Sequence, residues 1–345
     1  MNQQTSHTYH EITSQPAAWA EAAQVVQQHT AQLEAVRLKD YSQVLCIGCG
    51  STYYLGLATA ALLQTMTGRI ARALPSSELV WYPAGAYPGR AERSLLVSLS
   101  RSGATTETVR AVEAFRREGR GEVISITNYP ESPLASMGDV NLVIPAGREE
   151  SIAQTRSFAS MCVAATGLSA VLAGDRTRLG SLAGLRPAGE RLLRDYHALA
   201  RQWGEDSQLS QFFFLGSGPR YGLACEASLK MKEMTLSVSE PFHFPEFRHG
   251  PMSMITPQTL VIGLLSDAAR SIEEAVLEDM KALGGRILSL AEDGADVAFA
   301  SHLPELMRGV LYMPVLQLLA YFRSTSRGLD PDRPHNLSKV IELKV

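Results

Sequence analysis

Short apolar runs alternate along the chain with longer segments in which apolar residues recur every three to four positions. In the first half these are, in order, the run 44–47, a helical segment through Leu57 and Leu63, the run 95–99, the helical segment 105–117 and the run 122–127. Runs of this length predict strands, and the segments between them predict helices. The alternation therefore predicts strand–helix–strand crossovers and a mainly parallel sheet.

The same order of elements recurs in the second half of the chain. Its members are the run 212–215, a helical segment through Leu223, Ala227 and Met231, the run 260–266, the helical segment 271–283 and the run 286–290. Gly48 and Ser100 are 52 positions apart, and their counterparts Gly216 and Ser266 are 50 apart. Agreement over three consecutive elements indicates a duplication, so we expect two α/β sandwiches of three layers each.

The segments outside the repeats complete the predicted organisation. Ser14-Gln-Pro16 predicts the capped start of a helix that reaches Val36, with proline in its first turn. Another helix is predicted over 310–323, and a polar tail follows it. The predicted parts are an N-terminal helical segment 1–38, a first domain 39–190, a second domain 191–330 and a C-terminal tail 331–345.

Composition and charge narrow the class of protein. Apolar residues make up 45% and charged residues 19% of the 345, which is typical of a compact folded protein. The net charge of -3, with no basic run longer than Arg116-Arg117, excludes nucleic acid as a predicted partner. The first residues have neither a basic start nor an apolar run, and no stretch approaches the ~18 apolar residues of a spanning helix. We expect a cytoplasmic protein without a membrane segment.

Two motifs near the first predicted strand suggest cofactors that we do not expect. Cys46-x-x-Cys49 is compatible with a redox or zinc site, but Cys46 lies within a strand pattern and no second pair at zinc spacing follows. Gly48-x-Gly50 could begin a dinucleotide fingerprint, but Tyr53 occupies the position of the third glycine. The sequence therefore predicts no metal and no cofactor.

A hydroxyl-rich loop follows the run 95–99. In parallel sheets, ligands lie beyond the carboxyl ends of the strands, and Ser100-Arg101-Ser102-Gly-Ala-Thr105 is placed there, directly before a helix. Hydroxyl and backbone N–H groups at a helix start suit a phosphate, although an ordinary capping loop has a similar composition. The counterpart loop 266–271 has an acid at the position of Arg101 and lacks the glycine, so we expect no phosphate there.

The second half offers ionisable residues instead. Glu226, Lys230 and Glu233 are spaced to share one face of a helix, which also fits a solvated stripe of ion pairs. A loop rich in proline and aromatic residues follows, with His249 in Arg248-His-Gly-Pro251, and we expect its residues 241–251 to be exposed. Taken singly, a histidine in such a loop is more often structural than catalytic.

Four motifs in a fixed order resemble the sugar isomerase (SIS) domain family. They are Ser100-Arg-Ser-Gly-Ala-Thr105, Glu226-Ala-Ser-Leu-Lys-Met-Lys-Glu233, Arg248-His-Gly-Pro251 and Asn336-Leu-Ser-Lys339. Within that family the chain resembles, over nearly its whole length, the isomerase half of glutamine-dependent glucosamine-6-phosphate synthases. The resemblance implies two tandem SIS domains, each a flavodoxin-like α-β-α sandwich with a mainly parallel sheet.

The resemblance also implies a role for each site residue. Phosphate binding falls to Ser100, Arg101, Ser102 and Thr105, with a further hydroxyl from Ser51 or Thr52. A sugar phosphate is the implied small-molecule partner, and a homodimer with shared active sites is the implied assembly.

Catalysis is implied for four residues. Glu233 would move a proton between C1 and C2, and His249 would assist ring opening. Lys339 would work near the sugar carbonyl, and Lys230 would orient the open chain. An amine that attacks a carbonyl must be neutral, so we expect one of the two lysines to be partly desolvated.

The chain also departs from the synthase pattern. Arg101 stands where a glutamine is common, and Pro245-Glu-Phe-Arg248 replaces a run of small residues. The length leaves no room for a glutaminase domain, so we expect no ammonia production from glutamine. The function that this favours is deamination with isomerisation of an amino-sugar 6-phosphate, glucosamine 6-phosphate first. A sugar-phosphate deglycase, a plain aldose–ketose isomerase and a non-catalytic sugar-phosphate sensor remain open.

Overall fold

A computed structural model describes residues 6–87, 89 and 92–338, so Lys339 lies outside the described residues. The chain forms two compact units. The N-terminal unit comprises Ser14–Glu149 and Gln154–Ala183, and the C-terminal unit comprises residues 6–13 together with Glu150–Ala153 and Gly184–Leu337. The boundaries predicted at 38, 190 and 330 stay predictions.

The N-terminal unit is built on five parallel strands in the order β2-β1-β3-β4-β5. The strands are β1 (Gln43–Gly48), β2 (Ala71–Pro75), β3 (Ser94–Leu99), β4 (Val123–Thr127) and β5 (Val140–Val143). The helices are α1 (His7–Gln28), α2 (Thr30–Ala35), α3 (Ser51–Thr67), α4 (Ser76–Trp81), α5 (Thr106–Arg117), α6 (Arg156–Leu172) and α7 (Arg176–Ser181). The first residues of α1 belong to the C-terminal unit.

The central strands have continuous apolar sequences because they are buried on both faces of the sheet. Every residue of β1, β3 and β4 is buried, as expected for parallel strands covered by helices on both faces. One face of the sheet packs Leu45 and Leu96 against Val112 and Phe115 of α5. The edge strand β2 is only half-buried, and its apolar pattern is correspondingly weak.

The C-terminal unit repeats this architecture, with five parallel strands in the order β10-β9-β8-β6-β7. The strands are β6 (Gln211–Gly216), β7 (Val238–Phe242), β8 (Thr259–Leu264), β9 (Arg286–Ala291) and β10 (Val297–Ala298). The helices are α8 (Leu185–Asp195), α9 (His197–Glu205), α10 (Pro219–Thr235), α11 (Phe244–Phe247), α12 (Arg270–Ala282) and α13 (Met313–Ser326). In both sheets the order is second, first, third, fourth, fifth, which is the flavodoxin-like order. The prediction of two parallel α/β sandwiches is confirmed.

The predicted start of the first helix is wrong. Helix α1 begins at His7 and carries Pro16 in its interior. Proline removes one backbone hydrogen bond there, but Ile12, Ala18 and Trp19 are buried on the same helix and their packing outweighs the loss.

The segment 241–251, expected to be an exposed loop, is partly buried. Pro241 lies in the edge strand β7, where a proline is tolerated because only one side of the strand pairs with a neighbour. Phe244 and Phe247 of α11 are fully buried, with the Phe247 ring 5.0 Å from that of Phe213. The expected exposure is therefore wrong for these aromatic residues and correct for His249.

The four cysteines are free thiols. Cys46 is buried within β1, and burial raises the pKa of its thiol to about 12. Within residues 6–87, 89 and 92–338, no group of His, Cys, Asp or Glu side chains is arranged to hold a metal ion. None of the helices in these ranges is long and apolar enough to cross a membrane.

Candidate active site

Two loops of the N-terminal unit meet at one edge of its sheet. Strands β1 and β3 are parallel neighbours, so the loops that follow them leave the sheet side by side. After β1 the chain passes through Gly50, which has a φ of 56°, and enters α3 at Ser51. After β3 it passes through Ser100 and enters α5 behind Thr105. Two helix starts therefore lie at the edge where a phosphate is expected.

The hydroxyls of the loop 100–105 form one cluster. The Ser100 Oγ lies 3.3 Å from the Thr105 Oγ1 and accepts a hydrogen bond of 3.1 Å from the Gly103 N–H. The Ser102 Oγ lies 3.5 Å from the same Thr105 oxygen and accepts from the Ala104 N–H. The structure thus brings together the three hydroxyls that the sequence singled out.

Gly103 is required for this loop conformation. Its φ of 62° is in the left-handed region, and an added Cβ would lie 2.0 Å from the Ser132 Oγ. A side chain at this position would force the loop to move, which would disperse the hydroxyl cluster.

Arg101 is held by a carboxylate that sequence reasoning missed. Its side chain is buried, and its Nη1 lies 3.8 Å from the Oε2 of the buried Glu149. The Glu149 carboxylate also accepts hydrogen bonds from the N–H groups of Thr155 and Ser157 at the start of α6. This pairing connects the loop to α6, and the predicted phosphate contact of Arg101 stays a prediction.

The hydrogen bonds of the first loop bear on which of Ser51 and Thr52 could offer a hydroxyl to the phosphate. The Thr52 Oγ1 donates to the Cys49 carbonyl oxygen and accepts from the Cys49 N–H, both at 2.9 Å. A hydroxyl has a single proton, so Thr52 cannot also donate to a phosphate in this conformation. Ser51 is the first residue of α3, and its contribution of the additional hydroxyl stays a prediction.

In the C-terminal unit, three ionisable side chains meet along α10. The Lys230 Nζ lies 3.4 Å from the Glu226 Oε1 and donates a hydrogen bond to the Glu233 Oε2. Glu226 and Lys230 are fully buried, whereas the Glu233 side chain is 20% exposed. Glu233 is therefore the member of this trio that a ligand can reach, and the alternative of a solvated stripe of ion pairs is wrong.

Lys230 is buried but charged. Burial lowers the pKa of its amine, but the adjacent carboxylates of Glu226 and Glu233 outweigh that effect, so the pKa is raised above its ordinary value. Lys230 is thus desolvated, as expected for one of the two lysines, but two carboxylates stabilise its ammonium form, so it is not the neutral amine that attack on a carbonyl needs. Lys339, the other candidate, lies outside the described residues.

His249 is exposed in the turn that follows α11. The neighbouring Arg248 donates from its Nε to the Asp279 Oδ2 at 2.7 Å, which ties this turn to α12. The His249 ring makes no hydrogen bond to any part of the chain that the structure describes. The structure does not join it to the Glu226, Lys230 and Glu233 trio, and its role stays a prediction.

Comparison with known families decides which group of proteins shares this architecture. The sequence matches the SIS domain over residues 37–169 and again over 207–303, which together make up most of the chain. The chain belongs to the SIS domain family. The two matched segments cover the two sheets, so the resemblance drawn from the motifs is confirmed.

Curated relatives of this SIS protein include a glutamine–fructose-6-phosphate aminotransferase of Aeropyrum pernix. It is 30% identical over 97% of this chain, which covers 57% of that relative. This SIS chain spans about half the length of the curated relatives that it matches.

Solved structures with the same fold carry the names of phosphosugar enzymes. A glucosamine-6-phosphate deaminase of Thermotoga maritima is 28% identical, with a TM-score of 0.80 over 97% of this chain and 100% of that chain. A tagatose-6-phosphate ketose/aldose isomerase of Escherichia coli has a TM-score of 0.85 over 97% and 96% of the two chains. At 23% identity, the second similarity shows a common fold alone.

In the second SIS domain, carboxylates of the same chain accept hydrogen bonds from the loop that follows β8. The N–H groups of Ser266 and Asp267, which follow β8, donate to the carboxylates of Glu273 and Glu305. Arg220, at the start of α10, also donates to the Glu305 Oε1, at 2.9 Å. Carboxylates of the chain itself thus accept hydrogen bonds from the first N–H groups of this loop. This arrangement supports the expectation that the second loop binds no phosphate.

Proposed function

We propose that this SIS protein converts an amino-sugar 6-phosphate, glucosamine 6-phosphate first, into fructose 6-phosphate and ammonia. The observation that carries the proposal is the partly exposed Glu233 carboxylate held by the buried ammonium of Lys230. An ion pair with a purely structural role would not need a buried ammonium next to a carboxylate that a ligand can reach. The similarity to a glucosamine-6-phosphate deaminase supports the choice of substrate.

The proposed reaction needs a site that binds the phosphate and a group that transfers a proton between C2 and C1. The hydroxyls of Ser100, Ser102 and Thr105 and the helix start behind them hold the phosphate. Glu233 takes the proton from C2 of the open-chain aldehyde and returns it to C1. The C1 oxygen gains a proton and the amine nitrogen loses one in the same conversion, which leaves a hydroxyl at C1 and an imine at C2. Water then adds to the imine, ammonia leaves, and the ketose remains, so that one water is consumed for each ammonia released.

The two lysines have different proposed tasks. Because Lys230 is an ammonium, it stabilises the Glu233 carboxylate and orients the open chain without acting as a nucleophile. Any amine that attacks the carbonyl is therefore Lys339. His249 assists the opening of the sugar ring.

The test of the proposal is a panel of sugar and amino-sugar 6-phosphates, with ammonia and ketose assayed together. We expect equal amounts of both products from glucosamine 6-phosphate. Ketose formed from an aldose phosphate without ammonia would identify a plain isomerase. Release of an amino acid from a sugar-phosphate adduct would identify a deglycase, and binding without turnover would identify a sensor.

Replacing both Ser100 and Ser102 by alanine is expected to raise KM at least about tenfold, because a hydrogen bond to a charged group contributes about 1.5–3 kcal/mol. The measurement is steady-state kinetics with the preferred phosphosugar. Ser266→Ala, at the equivalent position of the second domain, is the matched control and should leave KM unchanged. An unchanged KM in the double variant would show that the loop is only a helix cap.

We further propose a homodimer in which the His249 segment serves the active site of the neighbouring subunit. The exposed His249 ring, without a hydrogen bond to any described residue, motivates this. Mixed dimers of inactive His249→Ala and Glu233→Gln chains should recover about half of the wild-type activity, since one site in each two-fold dimer regains both residues. Verified mixed dimers that stay inactive would contradict sharing.

A further inference from the structure

A cleft of the C-terminal unit lies at the amino ends of β6 and β7. Its volume is about 450 Å³, and it is lined by the segment before β6, the turn between α10 and β7 and the end of α13. Pockets that hold small molecules usually measure about 300–1,000 Å³. Ligands of parallel sheets usually lie beyond the carboxyl ends of the strands, so this cleft is separate from the loops described above.

Arg323 and Arg327, the arginine pair of this cleft, are one helical turn apart at the end of α13. The Arg323 side chain is buried, and its two Nη atoms donate to the carbonyl oxygens of Asp206 and Leu209. Its Nε is buried as well and has no hydrogen-bond acceptor in the part of the chain that the structure describes. Arg327 donates from its Nη1 to the Thr235 carbonyl oxygen at 2.9 Å. Both guanidinium groups thus bond to neutral oxygens and use only part of their five N–H donors.

The carboxylates around the cleft are paired with other arginines. Glu205, one of the lining residues, accepts from the Arg201 Nε at 2.8 Å. The Asp206 carboxylate lies 2.6 Å from the Arg286 Nη1. Among the described residues, no carboxylate lies within ion-pair distance of either member of the arginine pair. The cleft therefore carries two positive charges without a counter-ion from these residues.

The electrostatics of Arg323 favour an added anion. Burial and the charge of the neighbouring Arg327 lower its pKa, and the more distant Asp206 carboxylate only partly offsets this. An anion between the two guanidinium groups would relieve their repulsion. A phosphate monoester has a charge of about −1.5 to −2 near neutral pH, which matches the arginine pair better than the single charge of a carboxylate does.

The other walls of the cleft offer hydroxyl and apolar groups. Ser207, Ser210 and Ser237 line it, and serine hydroxyls can donate to phosphate oxygens. Leu236 and Val238 line it too, although their side chains are 56% and 57% exposed. Leu236 also has a φ of 54°, a left-handed conformation that is unfavourable for leucine. Exposed apolar side chains beside the arginine pair suit the carbon skeleton of a phosphorylated compound.

We propose that this cleft binds the phosphate group of a small phosphorylated metabolite through the guanidinium groups of Arg323 and Arg327. All of its lining residues belong to the C-terminal unit, so it is a second site that does not depend on the phosphate loop of the N-terminal unit. Guanidinium groups bind phosphate through paired N–H donors. The bonds of Arg323 to two carbonyl oxygens fix its position before the ligand arrives, which lowers the entropy lost on binding.

The test is isothermal titration calorimetry of the full chain carrying Ser100→Ala and Ser102→Ala, which weakens the phosphate site proposed in the N-terminal unit. The probes are glycerol 3-phosphate, inorganic phosphate and acetate. We expect glycerol 3-phosphate to bind most tightly, and acetate to bind at least about tenfold more weakly because it carries one charge. Tighter binding of inorganic phosphate would overturn the assignment to a metabolite, and equal binding of acetate would overturn the assignment to a phosphate group.

Variants of the arginine pair in the same background locate the site. Arg327→Met should weaken the binding of glycerol 3-phosphate at least about tenfold, because it removes a charged hydrogen-bond donor. Arg327 is exposed, so the fold should persist, and circular dichroism checks this. Arg323→Lys should also weaken binding, because it keeps the charge but loses the paired donors.

The matched control is Arg194→Met, which removes an exposed arginine of the same unit. Its Nε lies 2.8 Å from the Asp195 Oδ1, far in sequence from the cleft. The Kd of this variant should stay within twofold of the parent chain. Equal affinity in Arg327→Met and Arg194→Met would overturn the inference, as would the absence of any binding by the parent chain.

Discussion

Replacing Glu233 by glutamine is expected to lower turnover of the preferred phosphosugar by at least about a hundredfold, the usual scale for removing a general base. The carboxylate is the reachable member of the α10 trio, and glutamine has nearly the same shape but cannot accept the substrate proton. The Lys230 ammonium can still donate to the amide oxygen, so the fold should persist. The measurement is kcat, with circular dichroism to verify folding.

The matched control is Glu278→Gln. Glu278 also pairs with a lysine three positions along a helix, since the Lys281 Nζ lies 3.7 Å from its Oε1, but both side chains are largely exposed. Turnover in this variant should stay within twofold of wild type, because exposed pairs contribute little. Near-normal turnover in Glu233→Gln would remove Glu233 from the mechanism.

Replacing Lys230 by methionine is expected to lower the free energy of unfolding of the C-terminal unit by about 3–5 kcal/mol, the cost of breaking a buried ion pair by removing one partner. The methionine leaves Glu226 fully buried without its ammonium. The measurement is urea denaturation followed by a probe within this unit. The double variant Lys230→Met with Glu226→Gln should recover most of the loss, because it removes the stranded charge. No recovery would mean that packing, and not charge, carries the effect.

The same pair predicts a dependence on alkaline pH. The pKa of Lys230 is higher in the folded chain than in the unfolded chain, so its contribution to stability is complete below about 10.4, the ordinary lysine value. It is lost as the pH rises through the folded value. In Lys230→Met this alkaline component of the stability profile should be absent.

Periodicity alone predicted the central strands, because β1, β3, β6 and β8 are buried and apolar throughout or nearly so. The sequence pattern did not predict the edge strands β2 and β7. Half-burial weakens their apolar pattern, and β7 also contains Pro241. The duplication could be detected from the sequence because both the order of the elements and the spacing between them repeat.

Within the candidate site, the spacing of residues in the sequence predicted only those contacts that side chains make along one helix. Positions 226, 230 and 233 must share a face of α10, so their meeting followed from the spacing. The charge of Lys230 did not follow, because it depends on how two carboxylates balance burial. The pairing of Arg101 with Glu149 and that of Ser6 with Asp332 join residues 48 and 326 positions apart. No local pattern marks such partners.

The second SIS domain shows what duplication permits. Its loop donors are occupied by Glu305 and Glu273, so carboxylates of the chain itself stand where an anionic ligand would otherwise bind. Carboxylates that belong to the chain cannot dissociate from it, so we expect the conformation of this loop not to depend on the concentration of a phosphorylated ligand. The same domain carries Glu226, Lys230 and Glu233 on α10, so two copies of one fold can differ in the ligand that they hold while their sheets keep the same strand order.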